Sequence, residues 1–146
     1  MYRRILVAVE NSPADPTILT HVVPLATLTG AELLLVHVAD GFAARHFDDL
    51  ALRESEEIKA DRAYLEQLAA SLRAQSLTVS TELAMGDPAH ELIRVAEAWG
   101  ADLIAMSTHG HRFINDLLRG TTVDRVRHLV KIPVLLLRVP QAARQP

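Results

Sequence analysis

The sequence predicts an α/β fold: a three-layer sandwich in which a five-stranded parallel sheet lies between two layers of helices. Two observations carry this expectation. Ile5-Leu6-Val7-Ala8-Val9, Leu33-Leu34-Leu35-Val36 and Val134-Leu135-Leu136-Leu137 are unbroken apolar runs rather than alternating ones, as expected of strands covered on both faces. Helical stretches separate the strands in a β-α-β-α-β-α-β-α-β alternation, which right-handed crossovers turn into a parallel sheet.

The elements follow in order. A first strand over 5–9 ends at Glu10 and Asn11, and a helix over 16–29 stops at Gly30, a residue type suited to a helix C-terminus. After the second strand, 33–36, the stretch 39–47 holds Gly41 and two phenylalanines without a clear period. It is expected to be a mobile flap beside the site. A second helix, roughly 46–75, sets Ile58, Leu65, Leu68 and Leu72 on one stripe, and Glu54, Glu56, Glu57, Lys59, Asp61 and Arg62 form its solvated remainder. A third strand over 79–84 precedes a helix over 88–99, opened by Pro88 and stopped by Gly100. The fourth strand, 103–106, leads through a loop to a helix over 121–130, and Pro133 opens the fifth strand at 134–137. One domain is expected over 1–140, with a polar tail over 141–146 that frays.

Composition narrows the function. With 146 residues, 49% of them hydrophobic and 23% charged, the chain has material for the two-sided core of one domain. A formal net charge of −3, with the arginines spread along the chain, provides no basic field for nucleic acid. Cysteine is absent, so thiolate chemistry and disulfides are excluded and a reducing, cytoplasmic setting is expected. The apolar stretch at the N-terminus is short and ends in Glu10 and Asn11, so neither an export signal nor a membrane span is expected.

The most informative segment lies between Met106 and Val123, a loop bracketed by Gly110 and Gly120 between a buried strand and an amphipathic helix. Such a loop delivers main-chain N–H groups to the start of a helix, where anions such as phosphate are favoured. Ligands of open α/β sheets bind beyond the carboxyl ends of the strands. There the chain has Glu10, Asn11 and Ser12, then residues 38–40, Gly86 and Asp87, and residues 107–110. Plainer readings stand beside these. Thr121 with Asp124 fits a capping box, and the two glycines fit ordinary turns. Arg112 and Arg119 are either phosphate partners or solvated cations. His109 and His111 lack a third ligand nearby, so no metal site is expected; His109 fits a loop-fixing hydrogen bond, and His37 a strand-end histidine satisfied by main chain. Glu10 reads as a ligand contact rather than a catalytic base. Gly-x-Gly-x-x-Gly and Gly-x-x-x-x-Gly-Lys-Ser/Thr are both absent, and the only lysines are Lys59 and Lys131, against a P-loop NTPase or a dinucleotide dehydrogenase. No nucleophilic triad is legible, so no catalytic residue is assigned.

Ser107, two residues, Gly110, nine residues, then Gly120-Thr121 matches three positions of a motif that reads Gly, two residues, Gly, nine residues, Gly-Ser or Gly-Thr. With the Thr-His-Gly context, and from Arg4-Ile-Leu-Val-Ala-Val to Pro133-Val-Leu-Leu-Leu-Arg, the chain resembles the universal stress protein family. The resemblance implies the strand order 3-2-1-4-5 of adenine nucleotide alpha hydrolase-like folds and a homodimer that pairs the last strands. It also implies binding of ATP or another adenine nucleotide, with or without Mg. Carried over by position, Ala8, Val9 and Glu10 would meet adenine and ribose, and the Val38 main chain would meet the adenine edge. Met106 and Ser107 would begin the phosphate loop, Gly110, His111 and Arg112 continue it, and Gly120, Thr121 and Thr122 complete it at a helix start. Three departures stand out: Glu10 replaces the usual Asp, Ser107 replaces the first Gly, and His111-Arg112-Phe113 is bulkier than usual. The expected function is a cytoplasmic, dimeric stress-response module regulated by nucleotide, with at most slow hydrolysis. The alternatives are a dimeric interaction scaffold of the same fold without nucleotide, and a weak ATPase. In the implied order, the apolar last strand lies at a sheet edge, which also argues for pairing.

Overall fold

The structure, a computed structural model, describes residues 1–39, 49–108 and 116–140, with side chains described except at 49–55 and 116–121. Among them nine elements alternate: β1 (Arg4–Ala8), α1 (Ala14–Thr29), β2 (Glu32–Ala39), α2 (Asp49–Arg73), β3 (Val79–Met85), α3 (Pro88–Trp99), β4 (Leu103–Thr108), α4 (Asp116–Leu129) and β5 (Val134–Arg138). The strands pair in parallel in the order β3-β2-β1-β4-β5, as expected.

Strand parity explains the unbroken apolar runs. Ile5, Val7, Leu33, Leu35, Leu103 and Ala105 face one side, where they pack on Ile18 and Val22 of α1 and Leu65 and Leu72 of α2. Leu6, Leu34, Val36, Ile104 and Met106 face the other, against Leu92 and Val95 of α3 and Val123 and Val126 of α4. The central strands β1, β2 and β4 thus bury both faces, and the two cores share only the sheet.

Helix ends follow local chemistry. Gly30 and Gly100, at φ 73° and 77°, terminate α1 and α3 in the left-handed conformation. Asp87 caps α3 by accepting from His90 N at 2.9 Å, with Pro88 in the first turn. α1 starts at Ala14, before the expected residue 16, because Pro13 takes the N-cap position and Pro16 falls in the first turn, where its missing N–H is not required. The larger correction concerns α4. It begins at Asp116 rather than at residue 121, so Gly120, Thr121 and Thr122 lie inside the helix instead of at its start, and the Thr121–Asp124 capping box is overturned. Leu117, Leu118 and Arg119 are strong helix formers that carry the helix through Gly120, where glycine costs about 1 kcal/mol relative to alanine. The stretch 40–48, most of the expected flap, and the tail 141–146 lie outside the described residues.

The two sheet edges differ. β3 is guarded by α2: Arg73 donates through Nε and Nη2 to Val79 O at 3.0 and 2.7 Å, and Thr81 donates to Glu66 at 2.8 Å. β5 offers Val134, Leu135, Leu136 and Leu137, all half-buried.

Leu35 is fully buried between the sheet and its helices. Leu35→Ala should therefore lower the unfolding free energy in a denaturant titration by about 2–5 kcal/mol. Leu28→Ala, at a position 84% exposed, should change it by less than about 0.5 kcal/mol.

Candidate functional site

The pairing of β1 with β4 runs only from Ile5 with Leu103 to Val7 with Ala105. Beyond it the chain leaves β1 for α1 on one face, while β4 leads toward α4 on the other. Departures in opposite directions leave a crevice at the carboxyl ends of the strands. It is a half-open cleft of about 190 Å³.

Its floor is Ala8, Val36, Val38 and Met106, which parity places on the α3/α4 face with Leu6, Leu34 and Ile104. Pro88 and Leu92 of α3 wall one side, and Thr122 and Val123 of α4 the other. Val9, Glu10, His37 and Ser107 border it at the strand ends. Val9 N–H donates to Val36 O at 2.9 Å. The alternation of a parallel ladder then turns the N–H and C=O of Val38 to the same side, past the end of β1. An amide pair beside a flat apolar floor suits a planar heterocycle with a donor and an acceptor on one edge. Ser107 behaves differently. Its side chain shares the face of Ala105 rather than that of Met106, it is 7% exposed, and its Oγ has no hydrogen-bond partner among the described residues. A buried hydroxyl in that state costs about 1–3 kcal/mol.

Polar contacts from α2 brace the β1 side of the cleft. The carbonyl of Val9 accepts from His37 Nδ1 at 3.0 Å, and His37 Nε2 lies 3.3 Å from Asp61 Oδ2. Asn11 Nδ2 donates to Asp61 Oδ1 at 3.3 Å. Asp61, expected on the solvated face of α2, is thus drawn under the strand ends. Tyr64 donates its hydroxyl to Asp15, itself 1% exposed. Burial, followed by the hydrogen bond to Asp15 and the charge of Asp15, pushes the Tyr64 phenol well above its ordinary value. Glu10 accepts from Ser12 Oγ at 3.0 Å.

Beside the cleft wall, an ion pair joins α4 to the start of α3. Arg125 Nη1 lies 3.0 Å from both carboxylate oxygens of Asp87, tying α4 to the turn that opens α3. The N–H of His90 holds the Asp87 carboxyl below its usual range; burial opposes it, and the hydrogen bond and charge of Arg125 add to the lowering.

A sequence profile of the universal stress protein family matches residues 1–138. The chain belongs to the universal stress protein family. Universal stress protein MJ0577 of Methanocaldococcus jannaschii is 25% identical over 155 residues, covering 94% of this chain and 96% of that protein. The solved structure of MJ0577 superposes with a TM-score of 0.82 over 97% of this chain and 99% of its own. Two more distant members show the same fold in complexes with nucleotides. One from Archaeoglobus fulgidus holds dAMP, at 20% identity and a TM-score of 0.64 over 92% of this chain and 97% of that one. The other holds cAMP, at 18% identity and a TM-score of 0.69 over 94% and 97%.

Of the positions that family resemblance singles out, the cleft brings together Ala8, Val9, Glu10, Val38, Met106, Ser107 and Thr122. Gly120 and Thr121 belong to the backbone of α4. Gly110, His111 and Arg112 lie outside the described residues, as do His109 and Phe113. Among the described residues, no group of three His, Asp or Glu could hold a metal, and no helix is long and apolar enough to cross a membrane. Sequence reasoning missed Leu92, Val123 and Val36 as cleft walls. Val36 was the accessible one, since it lies two residues before Val38 on the same face.

Replacing Asp87 by Ala removes a helix cap and should cost about 0.5–2 kcal/mol of stability near neutral pH. Because the folded-state pKa of Asp87 is depressed, its contribution is present above the unfolded value and lost as pH falls through the folded one. Denaturant titrations of wild type and variant should therefore converge as pH is lowered through the acid end of the carboxylate range.

Proposed function

We propose that this chain is a cytoplasmic, homodimeric universal stress protein that holds ATP or another adenine nucleotide, with or without Mg, as a regulatory ligand. The observation that carries the reading is the cleft at the β1/β4 fork, floored by apolar side chains and edged by the Val38 main chain. The nucleotide complexes of the two more distant family members support it.

The described walls fit part of such a ligand. Their cleft of about 190 Å³ is smaller than the ~300–1,000 Å³ of pockets that enclose a drug-sized molecule. It therefore suits a base with some of its sugar, and phosphates would extend beyond these walls. Ala8 and Met106 provide the surface for the base, Val38 a donor and an acceptor for its edge, and Glu10 an acceptor at the border for sugar hydroxyls. A bound nucleotide supplies hydrogen-bonding base and sugar groups and a charged tail; it needs no chemistry from the protein. Neither lysine nor arginine is among the described lining residues, and the carboxylate of Glu10 is already engaged by Ser12. Hydrolysis on this arrangement is slow at most.

β5 supports the dimer. An edge of half-buried Val134, Leu135, Leu136 and Leu137 invites pairing with a second copy unless it is covered, whereas on β3 Arg73 of α2 occupies Val79 O.

Calorimetric titration with adenosine, AMP and ATP, with and without Mg, should show saturable binding. Ala8→Leu, which fills the floor, should weaken it at least about tenfold, or about 1.4 kcal/mol. Flat heats for every adenine ligand, with no nucleotide released when purified protein is denatured, would overturn the reading. Sedimentation should show a dimer that Leu136→Lys converts to monomer; a wild-type monomer at micromolar concentration would remove the homodimer.

A further inference from the structure

The imidazole of His37 meets two acceptors at once. His37 stands near the carboxyl end of β2, shares the sheet face of Leu33 and Leu35, and borders the cleft. Its Nδ1 lies 3.0 Å from the Val9 carbonyl oxygen, and its Nε2 lies 3.3 Å from Asp61 Oδ2 of α2. A carbonyl and a carboxylate only accept, so both contacts are hydrogen bonds only when both ring nitrogens carry a proton. That ring is the imidazolium. With one proton fewer, it can serve Val9 or Asp61 but not both.

These contacts lie where backbone pairing runs out. The β1/β2 register ends at Ala8 with Val36, followed by one more bond from Val9 N–H to Val36 O. His37 Nδ1 carries the seam a step further with a side chain, directly before Val38, whose main chain edges the cleft. Asp61 fixes the far side of the ring and accepts from Asn11 Nδ2 at 3.3 Å, so one α2 carboxylate is joined to the ends of both strands. The side chains of His37 and Asp61 are 14% and 19% exposed, open enough to exchange a proton with water and covered enough to escape the full screening of a surface pair. The orphaned Ser107 hydroxyl borders the same cleft, but it completes no nucleophilic triad, because both ring nitrogens are committed and neither can take its proton. Among the described residues, the other titratable groups around the ring come from neighbouring elements. Glu57 and Tyr64 lie one turn before and after Asp61; Glu57 is exposed, and Tyr64 donates to Asp15 of α1. Asp15 also accepts from the N–H groups of Glu10 and Asn11, and the Glu10 carboxylate accepts from Ser12. β3 presents Leu83, the register partner of His37. Asp61 is thus the carboxylate that answers the ring.

We propose that His37 is a pH-operated clasp: protonated, it ties the ends of β1 and β2 to α2 and holds the cleft in its ligand-receiving form; deprotonated, it releases one of the two ties and weakens binding. The regulation rests on the adenine-nucleotide reading for its ligand, while the clasp itself is a property of the free protein. Linkage sets the direction. The doubly tied form contains one more proton than the loosened one, so a ligand that selects it binds with proton uptake, and affinity falls as pH rises through the titration of His37. By the same reciprocity, bound ligand moves that titration to higher pH. Among side chains, histidine changes charge nearest neutral pH, which suits a device of this kind.

Nitrogen-15 NMR of the ligand-free full chain, followed from about pH 5 to about pH 8, tests the clasp. As pH rises, the His37 ring should pass from two protonated nitrogens to one, and the amide signals of Asn11, Asp61 and Tyr64 should move with the same midpoint. Calorimetry with adenosine, which has no group that titrates near neutral pH, should show affinity falling about tenfold over that titration. His37→Gln takes up no proton, and the amide of Asp61→Asn can donate to a neutral ring or accept from a charged one. Each variant should abolish the pH dependence while the other histidines remain. A His37 ring that keeps one protonation state throughout, or that titrates without moving Asn11 and Asp61, would overturn the proposal. So would an adenosine affinity that is unchanged over the His37 titration, or a pH dependence that survives in a variant that folds. The wild-type titrations decide the matter if neither variant folds. If adenosine binds at no pH, the nucleotide reading falls, and the ring and amide titrations still judge the clasp.

Discussion

The short seam between β1 and β4 governs the rest of the molecule. These strands are paired over three residue pairs, from Ile5 with Leu103 to Val7 with Ala105. Each then leads toward a helix on the opposite side of the sheet. A parallel sheet forces such divergence wherever its strand order reverses, because every crossover is right-handed and must lie over one face or the other. Everything placed at the carboxyl ends nearby, whether the apolar floor, the Val38 main chain or the Glu10 carboxylate, owes its position to that fork.

The two sides of the fork are built from different forces. On the α3/α4 side the cleft is a continuation of a core: Leu92, Val123 and Met106 belong to the same packed cluster as Val95 and Val126, and the Asp87–Arg125 pair joins the two helices. On the β1 side the structure depends on hydrogen bonds, most of them partly buried, with Asp15 satisfying the turn and α2 reaching it through Asp61 and Tyr64. Apolar contacts set the shape of the one side, and directional contacts set the charge of the other. The result is a cleft whose described walls favour a flat, uncharged group over an anion.

Much of this was legible in the sequence, and the reasons differ by element. The unbroken runs at Ile5 and Leu33 identified strands covered on both faces because no surface strand tolerates such runs, and Gly30 and Gly100 marked helix ends because they take the left-handed conformation there. The convergence of Glu10, Val38 and Ser107 followed from the strand order that the family resemblance implied. The start of α4 was hidden because Gly120-Thr121 resembles a boundary, while the helical preference of Leu117, Leu118 and Arg119 outweighs it. The brace was also hidden. Tyr64 lies 49 residues from Asp15, and Arg125 lies 38 from Asp87; such pairings exist only once the helices have docked. Asp61 read as one more charge on an amphipathic helix, since its partner His37 is on another element.

The central claim is that the fork between β1 and β4 is the place where this chain receives an adenine ligand. A crystal structure of the protein grown with AMP tests it most directly. The account predicts the base on the floor formed by Ala8 and Met106, with its edge against the Val38 main chain. A ligand bound elsewhere on the surface, or a cleft left empty at saturating AMP, would contradict it.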